Sequence, residues 1–296
     1  MKNIYEQVDA NKFRSGIVIV SFIVFISLAT YLISYSLGFD VSAVGIALIL
    51  AGFMSFISYY YSDKIILSIS NASPASRKDH FNLYTVTENL AHVARVPMPK
   101  LYVIDDTAMN AFATGRDPQH AVICATTGLL TRLNRTELEG VIAHELTHVR
   151  FYDTRLMSIV TILVGLITLL SDILLRTRIR RGRDNDGNLG AVLFLAGIIM
   201  AILSPIIAQL IQLAISRRRE FLADAGGASL TKYPEGLASA LEKISLDKEP
   251  LEAANKATAH LYIANPLRNH HDSIGWFAGL FNTHPPAKER IAALRS

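Results

Sequence analysis

The chain is poor in cysteine and in charge. Cys124 is the single cysteine among 296 residues, so no internal disulfide can form, and the chain suits a reducing compartment. Cys124 follows the apolar run Ala121-Val122-Ile123 and reads as a buried strand residue rather than a nucleophile. Charged residues make up only 18% and the net charge is +4. The pI of about 9.1 is therefore no argument for nucleic acid. The basic clusters lie beside apolar stretches, where membrane topology accounts for them. No charged residue falls mid-way along those stretches, which argues against a transporter. No small-residue cleavage pattern follows the first one, so an uncleaved anchor is expected there.

Apolar residues are what the chain has in excess: 51% of the total, with mean hydropathy +0.31. They concentrate in residues 15–38, 41–61, 156–175 and 189–216. The first stretch exceeds 20 residues without a charge, long enough as a helix to cross about 30 Å of hydrocarbon. A very short link without Lys or Arg joins it to the second. Lys2, Lys12 and Arg14 precede the pair, and Lys64, Arg77 and Lys78 follow it. The positive-inside tendency then places both flanks in the cytoplasm. The second pair encloses a loop with five arginines, balanced by five in its flanks, so charge does not decide between two full spans and a deep re-entrant hairpin.

Between the apolar pairs, residues 79–96 read as a helix ended by Pro97 and Pro99. Residues 101–104, 111–114 and 121–125 read as a small sheet, with a turn at Gly115-Arg116-Asp117-Pro118. Ala143-His144-Glu145-Leu146-Thr147-His148 follows, on a helix whose start is marked by the capping-box pattern of Thr136 to Glu139. Histidines four apart lie one turn apart on one helix face, so both rings can turn to one tetrahedral zinc ion. Glu145 can then reach a water on that ion as general base. Val141, Ile142, Leu146 and Val149 give the helix a buried side, which a solvated histidine pair would not need.

A third ligand has to come from elsewhere. Phe151 and Thr154 stand where a metzincin-type G-x-x-H would place its residues. Glu220 and Asp224 are four apart and share a helix face, together with Gln212 and Ser216. Glu220 would complete a His2Glu set with one position open for water, the pattern of a catalytic site. Asp224 would hold the free ring nitrogen of a ligating histidine. Taken without H-E-x-x-H, the same run reads as a solvated charged helix end. Both ligand-bearing helices run directly into the second apolar pair, which puts the metal at the bilayer surface. Residues 225–249 read as helix. His260, His270 and His271 read as solvated surface residues, as do His80 and His92.

Two N-terminal apolar stretches, H-E-L-T-H, a second apolar pair, R-R-E-F-L-A-D and Thr283-His284-Pro285-Pro286 with Arg290 together resemble the HtpX family of membrane zinc endopeptidases, relatives of the type 1 CAAX prenyl proteases. The resemblance implies one Zn2+ per subunit on His144, His148 and Glu220, with Glu145 as base. It implies a multi-pass protein of the bacterial inner membrane that degrades misfolded or damaged membrane proteins under stress. Asn110-Ala111-Phe112-Ala113 matches a family stretch that serves as a substrate-binding edge strand; Asn110 also suits a turn. His284 and Arg290 are candidates to stabilise the oxyanion, or else belong to a capped C-terminal helix that Pro285 and Pro286 begin.

The expected fold is α+β and mainly helical, with a gluzincin-like cytoplasmic catalytic domain around a small sheet. The expected division is 1–64 as a transmembrane hairpin, 65–155 as the first catalytic part, 156–216 as the second apolar hairpin and 217–296 as the second catalytic part. Expected partners are membrane proteins, their loops or tails, and the lipid bilayer, with no nucleic acid. A prenyl-protein protease is the rival within the class, and a non-enzymatic membrane scaffold the rival outside it.

Overall fold

The computed structural model describes residues 8–21, 23–24, 45, 49, 52–53, 56–57, 59–162, 217–252, 258–264 and 285–296. Most of the four apolar stretches lies outside these residues, as do Gln212, Ser216, His270, His271 and His284. Among the described residues no helix is long and apolar enough to cross a membrane.

The described chain is mainly helical around one four-stranded sheet. The helices are α1 (Ser62–Ile69), α2 (Phe81–Ala94), α3 (Thr127–Arg132), α4 (Arg135–Arg150), α5 (Arg217–Thr231), α6 (Pro234–Leu246) and α7 (Ala287–Arg295), with further helical residues at 8–21 and 153–162. The strands are β1 (Ser73–Pro74), β2 (Lys100–Ile104), β3 (Ala111–Thr114) and β4 (Val122–Thr126), in the order β1-β2-β4-β3. β4 runs parallel to β2 and antiparallel to β3, which lies at the edge. The three strands expected between the turn signals are present. Cys124 is wholly buried in β4, and burial pushes its thiol up, out of the range of a reactive thiolate.

Helix α2 buries Leu83, Val86, Leu90 and Ala94, a helical stripe. It ends at Arg95 in the left-handed region with φ 56°, two residues before Pro97. Helix α4 is buried on nearly every side, because α2, α5, α6 and β3 all pack on it. Val141, Ile142, Leu146 and Val149 are fully buried, each stabilising the fold by roughly 1.5–3 kcal/mol.

The capping box starts two residues earlier than the Thr136 to Glu139 pattern suggested. Asn134 is the N-cap: its Oδ1 accepts from Glu137 N at 2.9 Å, and Glu137 Oε2 accepts from Asn134 N at 2.8 Å. Asn134 wins because its extended backbone (φ −73°, ψ 174°) aims its side chain at the orphan amides. The Thr136 hydroxyl donates to Asn134 instead.

Two other expectations are corrected. Residues 225–249 are not one helix: Lys232 takes φ 56°, and Pro234, which cannot continue a helix, begins α6. His260 is not a surface residue. It is fully buried, with Nε2 3.0 Å from Thr161 Oγ1.

Small residues set how closely the helices cross. A Cβ on Gly140 would fall 2.5 Å from Leu237 N of α6, and one on Gly227 of α5 would fall 3.0 Å from His144 N. The backbone of α5 therefore lies against α4 at the level of the first histidine.

Replacing Asn134 by Ala removes the side-chain acceptor of the Glu137 N–H and leaves the backbone donor to Glu137 Oε2 in place. We expect a loss of ~1 kcal/mol of stability, read as a lower denaturant midpoint with unchanged metal stoichiometry.

Candidate metal centre

Helix α4 presents His144 and His148 one turn apart, and α5 presents Glu220 and Asp224 one turn apart. The close crossing brings the two pairs together. His144 Nε2 and His148 Nε2 are 3.2 Å apart. Glu220 Oε1 lies 3.5 Å from His148 Nε2, and Oε2 lies 3.8 Å from His144 Nε2. These three residues are buried, and their ligand atoms all lie within 4.8 Å of one another.

The outer ring nitrogens are both held by carboxylates. Asp224 Oδ1 is 2.9 Å from His144 Nδ1, and Asp153 Oδ2 is 3.1 Å from His148 Nδ1. A carboxylate on Nδ1 makes that atom the N–H donor and turns the Nε2 lone pair inward. Two inward lone pairs at 3.2 Å need a positive charge to share. Two nitrogens on one tetrahedral ion, each at about 2.05 Å, would stand about 3.3 Å apart.

Charge balance leads to the same conclusion. Glu145, Asp153, Glu220 and Asp224 are buried carboxylates, and they face the buried guanidinium groups of Arg219 and Arg290. With all four ionised, these described groups carry two negative charges in excess, which one divalent cation would balance. The donor set of two imidazoles and a carboxylate fits such an ion and leaves room for a further ligand.

Arg290 reaches in from α7. Its Nε and Nη2 donate to the two oxygens of Asp224 at 2.8 and 2.6 Å, a bidentate pair. Its Nη1 donates to Ile263 O at 3.2 Å and lies 3.6 Å from Glu220 Oε2. Nη2 also lies 3.4 Å from His144 Nδ1. Burial opposes the charge on Asp224, but Arg290 outweighs it and holds the carboxyl below its ordinary range.

The other titrating groups are set by the same fields. Burial pushes the Glu145 carboxyl up; His144, His148 and Arg290 pull against it, and Glu220 adds to it. Burial pushes the His148 imidazole down, yet the bond to Asp153 and the charges of Glu220, Asp153 and Glu145 overcome it and raise it to about 9. Without a metal, the centre therefore keeps a proton as its cation.

Strand β3 lies beside α4, and Asn110, Ala111, Phe112 and Ala113 are all buried. Asn110 Nδ2 donates to Ala264 O at 3.0 Å, and Ile263 N donates to Ala111 O at 3.0 Å. The chain's own segment thus meets the start of this edge.

Residues 77–296 match the profile of peptidase family M48. This chain belongs to that family. It is an HtpX-type member, a metallopeptidase. The Protease HtpX homolog of Dictyoglomus thermophilum is 44% identical over 98% of this chain and 94% of that protein. The homolog of Caldanaerobacter subterraneus subsp. tengcongensis is 42% identical over 100% of this chain and 98% of its own length. The crystal structure of S. mikatae Ste24p aligns with TM-score 0.49 and 19% identity, covering 98% of this chain and 66% of that one.

Two members of this metallopeptidase site escaped the sequence reading. Asp153 stands five residues after His148, where an H-x4-D spacing past a helix end was a usable signal. Arg219 counts in the sequence only as one of the five arginines flanking the second apolar pair; it is buried, 3.5 Å from Asp153 Oδ1.

A metal ion must displace the His148 proton. Apparent metal affinity should therefore rise about tenfold per pH unit from neutrality and level off above about 9, as measured by chelator competition.

Proposed function

We propose that this metallopeptidase is a zinc-dependent endopeptidase that cleaves misfolded or damaged membrane proteins at the cytoplasmic face of a bacterial inner membrane. The observation that carries the chemical part is the meeting of His144 Nε2, His148 Nε2 and Glu220, with both outer ring nitrogens held by carboxylates. His144, His148 and Glu220 hold the ion, one per chain. When bound, zinc supplies Lewis acidity and an activated water near neutral pH.

The chain's own residues do the rest. Glu145 takes the proton from the attacking water and returns it to the leaving amine. Its buried carboxyl, raised above the ordinary range, is suited to both transfers. Asp224 fixes the His144 ring. Arg290 spends its N–H groups on Asp224, Ile263 O and the Glu220 side, so we assign it to holding these groups rather than to the oxyanion. His284 keeps the oxyanion role in this reading. Strand β3, from Asn110 through Ala113, holds an extended peptide by main-chain bonds.

The membrane setting is supported by the apolar stretches and by the side chains near them. Phe13 is 71% exposed and Ile49 74% exposed, as expected of residues that meet lipid. In this reading 1–64 and 156–216 are the membrane parts, and 65–155 with 217–296 form the catalytic unit. A centre so placed meets the loops and tails of membrane proteins.

Glu145→Gln should keep zinc at the wild-type level and lower cleavage of casein or a membrane-protein substrate by at least ~100-fold. Full turnover by the zinc-loaded variant would remove the assignment.

A further inference from the structure

Asn11 lies in helical residues 8–21 and is 3% exposed. Nothing in the local sequence marks it. Its Nδ2 donates to Asp153 Oδ1 at 2.7 Å and to Phe151 O at 2.9 Å. Its Oδ1 accepts from Arg219 Nη1 at 3.4 Å. The amide orientation follows from these partners: reversed, the oxygen would face two acceptors and the nitrogen a donor.

Each partner belongs to the metal centre's surroundings. Asp153 uses its other oxygen, Oδ2, to hold His148 Nδ1. Phe151 is the C-cap of α4, so its carbonyl is one that the helix leaves without an internal partner. Arg219 directly precedes Glu220. One amide therefore ties the end of the histidine helix to the start of the carboxylate helix, and fixes the carboxylate that orients the second histidine. Ser15, also buried, donates to Asn11 O at 2.8 Å, within the same helical stretch.

We propose that Asn11 is a positioning residue of the metal centre, acting through Asp153 to hold the His148 ring in its ligating orientation. The helix that opens the first apolar stretch is then part of the catalytic apparatus as well as an anchor. Losing Asn11 removes the shorter of the two contacts on the buried Asp153 Oδ1 and leaves Arg219 Nε at 3.5 Å, so the carboxylate is held less firmly against His148. This inference rests on the metal-centre reading given above.

The test uses full-length protein in detergent. Zinc affinity is measured by chelator competition, and the ligand field by the visible absorption of the cobalt-substituted protein. Asn11→Leu should bind zinc about tenfold more weakly and shift the cobalt bands. Combined with Asp153→Asn, it should bind no more weakly than Asp153→Asn does, because both act on one relay. Should the leucine variant not accumulate, Asn11→Ala is read in the same way. Unchanged affinity and cobalt spectrum, or losses that multiply in the double variant, would overturn the proposal; a lower melting temperature with an unaltered spectrum would do the same. Wild-type protein that takes up neither ion would remove the metal-centre reading, and this one with it.

Discussion

A surplus of buried negative charge sits at the crossing of α4 and α5, around a donor set that a metal cation would fit. Burying an ionised carboxylate is expensive unless it is paired and hydrogen-bonded. Here Asp153, Glu220 and Asp224 stand with Glu145 around two imidazoles, all of them buried. The two guanidinium groups offset part of that charge. What remains keeps His148 protonated well above its ordinary range in the metal-free state, and it is the same field that would favour a divalent ion.

The scaffold is arranged to keep that cluster from relaxing. Gly226 and Gly227 let α5 approach α4 to backbone distance beside Thr147 and His144. Glycine is required there for its missing Cβ, not for an unusual φ. Asp224 is clamped by Arg290 from α7, and Asp153 by Asn11 and Arg219. Ligand orientation is thus supplied from the N-terminal helix, the turn after α4, the first turn of α5 and the last helix. A site whose supporting groups come from separate elements is rigid when all are docked.

That arrangement also bears on how the M48 peptidase could meet a substrate. The edge strand β3 begins beside the centre, and its first carbonyl already accepts a bond from Ile263. The same Ile263 offers its own carbonyl to Arg290. Residues 262–264 therefore join the edge strand to the charged cluster. In the proposed reading of β3, an incoming peptide strand and this segment would draw on neighbouring main-chain groups of one short edge.

Much of the centre could be read from local spacing. A helical period places His144 with His148, and Glu220 with Asp224, on single faces, and a run of apolar residues marks α4 as buried. The strands and the buried Cys124 followed from short apolar runs and from turn residues. The helix break at Lys232 and the capping role of Asn134 were misread, because neighbouring residues offered competing local patterns. Asp153 left only a weak spacing signal, and Asn11, Arg219 and the true partner of Arg290 were beyond local reading altogether. Short-range geometry fixes which side chains share a face of one element. Which carboxylate meets which imidazole across the fold depends on how the elements pack, and a glycine at a crossing or a buried amide at a helix end leaves no periodic trace in the chain.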